Sequence, residues 1–119
     1  MLSQVGAQTY MNTSLTNTAV TALTVPTHGG LLLYNIIGFN GDASSISFVQ
    51  FFDALLANVT LGVTVPKFVL PLGIRIVSAI DMTCPQEYRI GLVIACTSTA
   101  TGAAAPSTNA TLSIDYVAS

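Results

Sequence analysis

At 119 residues the chain has the length of a single compact domain, able to bury roughly two thirds of its unfolded surface. Only eight residues are charged, three basic (Lys67, Arg75, Arg89) and five acidic (Asp42, Asp53, Asp81, Glu87, Asp115), for a net charge of −2; an average domain is about one quarter charged. Three cations are too few for the roughly six to ten phosphates a DNA-binding protein contacts, so no nucleic-acid partner is expected.

No membrane partner is expected either. Mean hydropathy is +0.69, but the longest apolar stretch, 31–39, is interrupted by Asn35 and Gly38 and is far shorter than the roughly 20 residues of a spanning helix. Residues 1–6 offer neither a cationic segment nor an apolar one after it, so no signal peptide is expected.

The predicted elements are strands. Val, Ile and Thr number 11, 9 and 15, and β-branched side chains favour pleated, half-buried backbone. No window keeps an apolar stripe at helical spacing over a helical length. In chain order, residues 1–17 are polar with scattered apolar side chains and read as an extended N-terminal arm, leaving 18–119 as the domain. Residues 19–25 form a first strand closed by Pro26, followed by a turn at Thr27, His28, Gly29 and Gly30. Residues 31–40 give the longest strand, ending at Gly41 and Asp42. In 45–53 both alternating faces are largely apolar, which calls for a central strand or for one side covered by a neighbouring subunit. Asp53 is placed to cap one helical turn over 53–58.

Residues 63–70, broken by Pro66 and followed by Pro71, belong at a sheet edge or a bend. Residues 73–80 alternate, with Ile74, Ile76, Ser78 and Ile80 opposite Arg75, Val77 and Ala79. Residues 88–97 and 111–117 complete the set, separated by a low-complexity loop over 97–109. Long loops of this kind are functional or disordered. Seven or eight strands suffice for an all-β, two-sheet antiparallel sandwich, with jelly-roll and immunoglobulin-like orders both open.

Chemistry is hard to find in this chain. Five carboxylates and one histidine supply few titratable groups, and there is no nucleophile elbow, phosphate loop or calcium-loop spacing. No catalytic residue, metal ligand or cofactor is assigned, and the expectation is a non-enzyme. Cys84 and Cys96 fit no metal spacing and read as buried free thiols. The sequons at Asn12, Asn58 and Asn109 follow from an Asn- and Thr-rich composition. Polarity comes from 35 Ser, Thr, Asn and Gln residues, and near-neutral surfaces of this kind favour association.

Two runs carry a resemblance. One is Phe-Val-Gln-Phe-Phe-Asp-Ala-Leu-Leu-Ala-Asn-Val-Thr-Leu-Gly-Val-Thr-Val-Pro-Lys-Phe-Val-Leu-Pro-Leu over 48–72; the other is Ile-Ala-Cys-Thr-Ser-Thr-Ala-Thr-Gly-Ala-Ala-Ala-Pro over 94–106, with a closing hydrophobic strand to Tyr116. The chain resembles small virion structural proteins of tailed bacteriophages over about 34–116. It departs from them after Pro71, where Leu72 and Gly73 pass directly into the next strand without a Gly-rich turn. The resemblance implies a β-sandwich protein of the virion, made in the host bacterial cytoplasm. It implies a homotrimer that acts as a capsid decoration or cement protein bridging capsomers, with the major capsid protein or another virion protein as partner. The alternative is a tail or fibre module, including one that binds a host-surface glycan.

Contact residues are expected in three places. Leu2, Val5, Tyr10, Met11 and Leu15 are spaced apolar anchors on the arm, suited to adding a strand to a sheet edge. Residues 31–39 and 48–52, with Phe48 and Phe51 among them, hold more large apolar groups than the inner faces of one sandwich need, and part of that excess is expected at a subunit interface. Arg75, on an otherwise apolar strand, either reaches solvent or pairs with a carboxylate of a neighbouring chain.

Overall fold

The computed structural model describes residues 8–25 and 29–118. Its strands are β1 (Gln8–Leu15), β2 (Val20–Leu23), β3 (Leu31–Asn40), β4 (Ser47–Asp53), β5 (Phe68–Leu72), β6 (Val77–Tyr88), β7 (Leu92–Thr97) and β8 (Ala110–Ala118). They form two four-stranded sheets, sheet A in the order β1-β8-β3-β6 and sheet B in the order β2-β7-β4-β5. The antiparallel pairs β1:β8, β2:β7, β3:β6 and β4:β5 make the chain one long hairpin with its apex at the β4–β5 connection. Rolling that hairpin also brings β3 against β8 and β4 against β7. This is the jelly-roll order, and it decides between the two sandwich types the sequence leaves open.

Alternate residues of both sheets fill the interior. Leu33, Ile36, Leu112 and Ile114 come from sheet A and Val49, Phe51, Leu70, Leu72 and Ile94 from sheet B, all buried in one cluster. The uninterrupted apolar run at the start of β3 hides a change of phase. Leu33 pairs with Tyr116 and Asn35 with Asp115, so Tyr34 is an extra residue that moves the inward set from 31 and 33 to 36, 38 and 40. On the other side of β3, four residues of β6 (82–85) oppose Tyr34 alone. Cys84 and Pro85 therefore sit in a bulge within one long strand. Gly38 faces sheet B. A Cβ there would lie 2.6 Å from the Leu72 Cδ2, so the strand needs a residue without a side chain.

Several sequence expectations are corrected. Residues Gln8–Leu15 are not a free arm but an edge strand of sheet A, paired with β8 along most of their length. Leu15 anchors that strand by burying itself in the core. The strand expected over 73–80 begins only at Val77, and Arg75 lies in the preceding turn with φ 52°, its N–H held by the Asn40 carbonyl at 3.0 Å. The turn over 53–58 is reduced to one 3-10 turn at Leu56–Asn58, and Asp53 does not cap it. The edge placement expected from Pro66 and Pro71 does hold: β5 is an edge strand and Pro71 is exposed on it. Of the turn read at Thr27, His28, Gly29 and Gly30, the first two residues lie outside the described residues, as do Pro26, Leu2 and Val5.

The two sheets differ in what lies outside them. On sheet B the outward residues Gln50, Phe52, Val93, Ala95 and Thr97 are all buried, because two loops fold across that face. The Gln50 amide donates to Thr97 Oγ1 at 2.7 Å and to the Gly102 carbonyl at 3.0 Å. The Asn17 amide donates to the Ala103 carbonyl at 3.1 Å. A Cβ on Gly62 would lie 3.6 Å from the Ala103 Cβ, an ordinary contact distance, so the 98–109 loop meets the 54–67 loop. The doubly apolar pattern of 45–53 is thus explained by a central strand covered by the chain's own loops, without a neighbouring subunit.

Candidate contact surfaces

The titratable groups are dispersed and tied into local hydrogen bonding. Asp42 accepts from the Ser44 and Ser45 N–H groups at 2.8 and 2.9 Å and from Thr108 Oγ1 at 2.9 Å, joining the 41–46 turn to the 98–109 loop. These bonds hold its carboxyl below the usual value. Asp115, on the outer face of sheet A, accepts from Thr9 Oγ1 at 2.6 Å and Asn35 Nδ2 at 2.9 Å, crossing β1, β8 and β3. Both bonds lower its pKa. At Asp53, partial burial acts to raise the pKa, but N–H groups of Ile90, Arg89 and Gly91 and the charge of Lys67 outweigh it and lower it.

Lys67 itself donates to the Glu87 carbonyl and lies 4.7 Å from the centre of the Tyr88 ring. Burial, with the Asp53 charge, pushes the Tyr88 hydroxyl well above its ordinary range. Arg89 pairs with Glu87 at 3.1 Å, both partners on the surface. Cys84 and Cys96 are free thiols as expected, but only Cys96 is buried, and burial pushes its thiol up. Among the described residues no three His, Cys, Asp or Glu side chains converge on a point that could hold a metal ion. The carboxylates act as acceptors that fasten turns and strands.

A pH dependence follows with a definite sign. Asp42, Asp53 and Asp115 all have folded-state values below the ordinary 3.8. A carboxyl depressed on folding contributes stability that is complete above its unfolded value and disappears as pH falls through the folded one. The urea midpoint is therefore expected to be level with respect to these groups from pH 7 to about 5 and to decline below about 4, with Asp42→Asn, Asp53→Asn and Asp115→Asn each flattening the acid limb. An acid limb unchanged in the triple variant would contradict these assignments.

Exposed apolar residues are the other feature of the surface. They include two groups; Ile46, Ile74, Ile76 and Ile90 are exposed elsewhere. The first is the outer face of sheet A, where Met11, Ile37, Phe39 and Val77 are 61%, 39%, 39% and 62% exposed. Strand register places Met11 opposite Ser113, Ser113 opposite Ile37 and Ile37 opposite Ala79, with Thr111, Phe39 and Val77 in the adjoining row. The second patch is the hairpin apex, where Val63 and Val65 are 78% and 85% exposed; Leu55 and Leu56, earlier in the same loop, are exposed as well. The apex is a built turn: Thr64 N–H reaches the Thr60 carbonyl at 2.8 Å, and Thr60 N–H reaches Thr64 Oγ1 at 2.9 Å. The apex extends from the sheet B layer, at the end of the sandwich where β3 begins. Ile37, Phe39 and Val77 lie toward the other end, on sheet A. A smaller cleft of about 330 Å³ opens beside the start of β3, between Ala22, Leu23 and Thr24 on one side and Gln8, Leu31, Tyr116 and Ala118 on the other.

The contact residues expected from sequence are only partly on these surfaces. Met11 is on the sheet A patch. Tyr10 is half-buried against the core, Leu15 and Phe51 are fully inside it, and neither of these last two can meet a partner of the folded chain. Phe48 is half-buried on the outer side of sheet B, and Arg75 is exposed in its turn, with no carboxylate in ion-pair range among the described residues. Ile37, Phe39, Val77, Val63 and Val65 were not singled out. The available signal was Val63 and Val65 flanking Thr64 in a stretch that Pro66 already marks as a loop.

Comparison with protein-family models, with curated proteins and with solved structures gives no match to this chain.

Proposed function

We propose that the chain is a non-enzymatic structural protein of a tailed-phage particle, a decoration protein that self-associates and bridges neighbouring capsomers of the shell. The observation that carries this reading is the pair of separate apolar patches on opposite layers of a nearly uncharged sandwich. Bridging needs two contact surfaces on one small body, and many copies joined through modest contacts give a large combined effect. The jelly-roll order is also used by viral capsid domains, a fold-level analogy that agrees with the reading without carrying it. The resemblance to small phage virion proteins supplies the particle, and the self-associating state it implies is a trimer.

Quantitative mass spectrometry of purified virions tests the reading. Hundreds of copies per particle are the expected result. A handful of copies would move the protein to the tail or a fibre, and absence from the particle would overturn the proposal.

A further inference from the structure

We infer that Asn40 is a modification site, an asparagine that deamidates once the chain opens and that the folded chain holds unreactive. The sequence narrows the choice to this residue. The six asparagines are followed by Thr13, Thr18, Ile36, Gly41, Val59 and Ala110. Deamidation begins when the main-chain nitrogen of the following residue attacks the side-chain carbonyl carbon. A side chain on that residue, a β-branched one above all, crowds the approach, and glycine leaves it open. At Asn40 a bond forms between the Gly41 nitrogen and Cγ, and the bond from Cγ to Nδ2 breaks. The proton of the Gly41 N–H leaves with Nδ2 as ammonia, and a five-membered succinimide remains. Water then opens that ring at either carbonyl, giving aspartate or isoaspartate. Water is the only co-reactant.

The fold closes this route by pinning both ends of the amide. Asn40 ends β3, is 1% exposed and pairs with Ala110 of β8. Its Nδ2 donates to the Ser45 carbonyl at 2.8 Å and to the Leu72 carbonyl at 3.4 Å. Its Oδ1 accepts from Asp42 N–H at 3.0 Å, and its main-chain carbonyl accepts from Arg75 N–H at 3.0 Å. Closing the ring requires Cγ to swing onto the Gly41 nitrogen, which breaks the side-chain bonds to Ser45, Leu72 and Asp42 together. The same contacts make the product a poor fit to the fold. The asparagine supplies two donors to two carbonyls, while a carboxylate has acceptors only. An aspartate at position 40 would bury a charge against the Ser45 and Leu72 oxygens, two residues from the Asp42 carboxylate. Isoaspartate adds a methylene to the main chain at the end of β3 and breaks its register with β8. Position 40 thus converts time spent unfolded into permanent loss, a chemical limit on refolding set by how often the chain opens. This chemistry is independent of any role in a particle.

Peptide mapping by mass spectrometry is the test. The full chain is held at about pH 8 and 37 °C, folded in buffer or unfolded in about 6 M guanidinium chloride, and the gain of about 1 Da is located over time. In guanidinium Asn40 is expected to react first among the asparagines, and in buffer at least tenfold more slowly. Gly41→Ala is the control, because a Cβ there would meet only the Phe39 ring, at 3.4 Å, and Gly41 has no positive φ. This variant is expected to keep the wild-type urea midpoint and to slow the reaction of the unfolded chain at least fivefold. Wild type kept unfolded until half of its Asn40 has reacted is expected to regain about half of its native far-UV signal on dilution, with the modification confined to the fraction that fails to refold. Gly41→Ala kept unfolded for the same time is expected to recover at least 90% of its signal. Equal rates in the folded and unfolded chain, another asparagine reacting first, no slowing by Gly41→Ala, or deamidated chains that refold as well as fresh ones would each overturn the inference.

Discussion

Replacing Asp53 by alanine is expected to destabilise the fold by about 3 kcal/mol, although the residue is not part of the buried apolar core. The reason is the crossing from sheet A to sheet B at residues 89–91. These three residues join β6 in one sheet to β7 in the other, so none of their N–H groups has a ladder partner of its own. Asp53 Oδ1 accepts from Ile90 at 2.8 Å, from Arg89 at 3.1 Å and from Gly91 at 3.3 Å. The Gly91 carbonyl returns a bond to Ala54 N–H at 3.2 Å. A hydrogen bond to a charged group contributes about 1.5–3 kcal/mol, and three that share one carboxylate are not additive. The lost acceptor also strands the N–H of buried Gly91, whose backbone is too close to the Ala54 carbonyl to be rearranged freely. A loss of about 3 kcal/mol corresponds to roughly 10 °C in Tm for a domain of this size. Asp53→Asn, which keeps one acceptor oxygen, is expected to lose less than half as much. The difference between wild type and Asp53→Ala should shrink below about pH 4, as the depressed carboxyl of the wild type takes up its proton. Urea denaturation at pH 7 and pH 3 checks both statements, and a cost under about 0.5 kcal/mol at pH 7 would show that the crossing holds itself.

How far the sequence reveals such features depends on whether they are local. The β class, the two-layer count and the strand over residues 31–40 are legible because β-branched content and turn residues act within a few positions. Pro71 marks an edge strand because a missing N–H is also a local property. The bulge at Tyr34 is not legible. Six residues from Leu31 to Ile36 contain five that are tolerated on either face, so alternation carries no phase information until the neighbouring strands fix it. The role of Asp53 was misread for a related reason. A carboxylate before a short apolar stretch looks like a helix cap, while its actual partners are 36 to 38 positions away in sequence. The N-terminal strand was missed because residues 8–15 are largely polar on both sides, as befits an edge strand, and only Tyr10 and Leu15 turn toward the core. The sheet A patch was invisible for the opposite reason. Ile37 and Phe39 belong to a run whose apolar excess is legible, but the sequence does not say which alternate residues lose their cover.

The same reasoning makes the two outward faces experimentally distinguishable, and the decisive residue is Phe52. In a sandwich with one solvated side per sheet, truncating an outward phenylalanine costs under about 1 kcal/mol, in line with other surface changes. Here Phe52 is 1% exposed, paired across the strand with Val93 at 0%. Phe52→Ala is therefore expected to cost about 3–5 kcal/mol, the range for removing a fully buried aromatic ring, and to match Phe51→Ala on the inner side of the same strand. Ile37→Ala on the bare face is expected to stay near 1 kcal/mol when measured on the monomer. The urea midpoint of each variant, at equal slope, provides the comparison. A small cost for Phe52→Ala would mean that the 54–67 and 98–109 loops do not close over sheet B in solution. Both sheets would then present an apolar outer face.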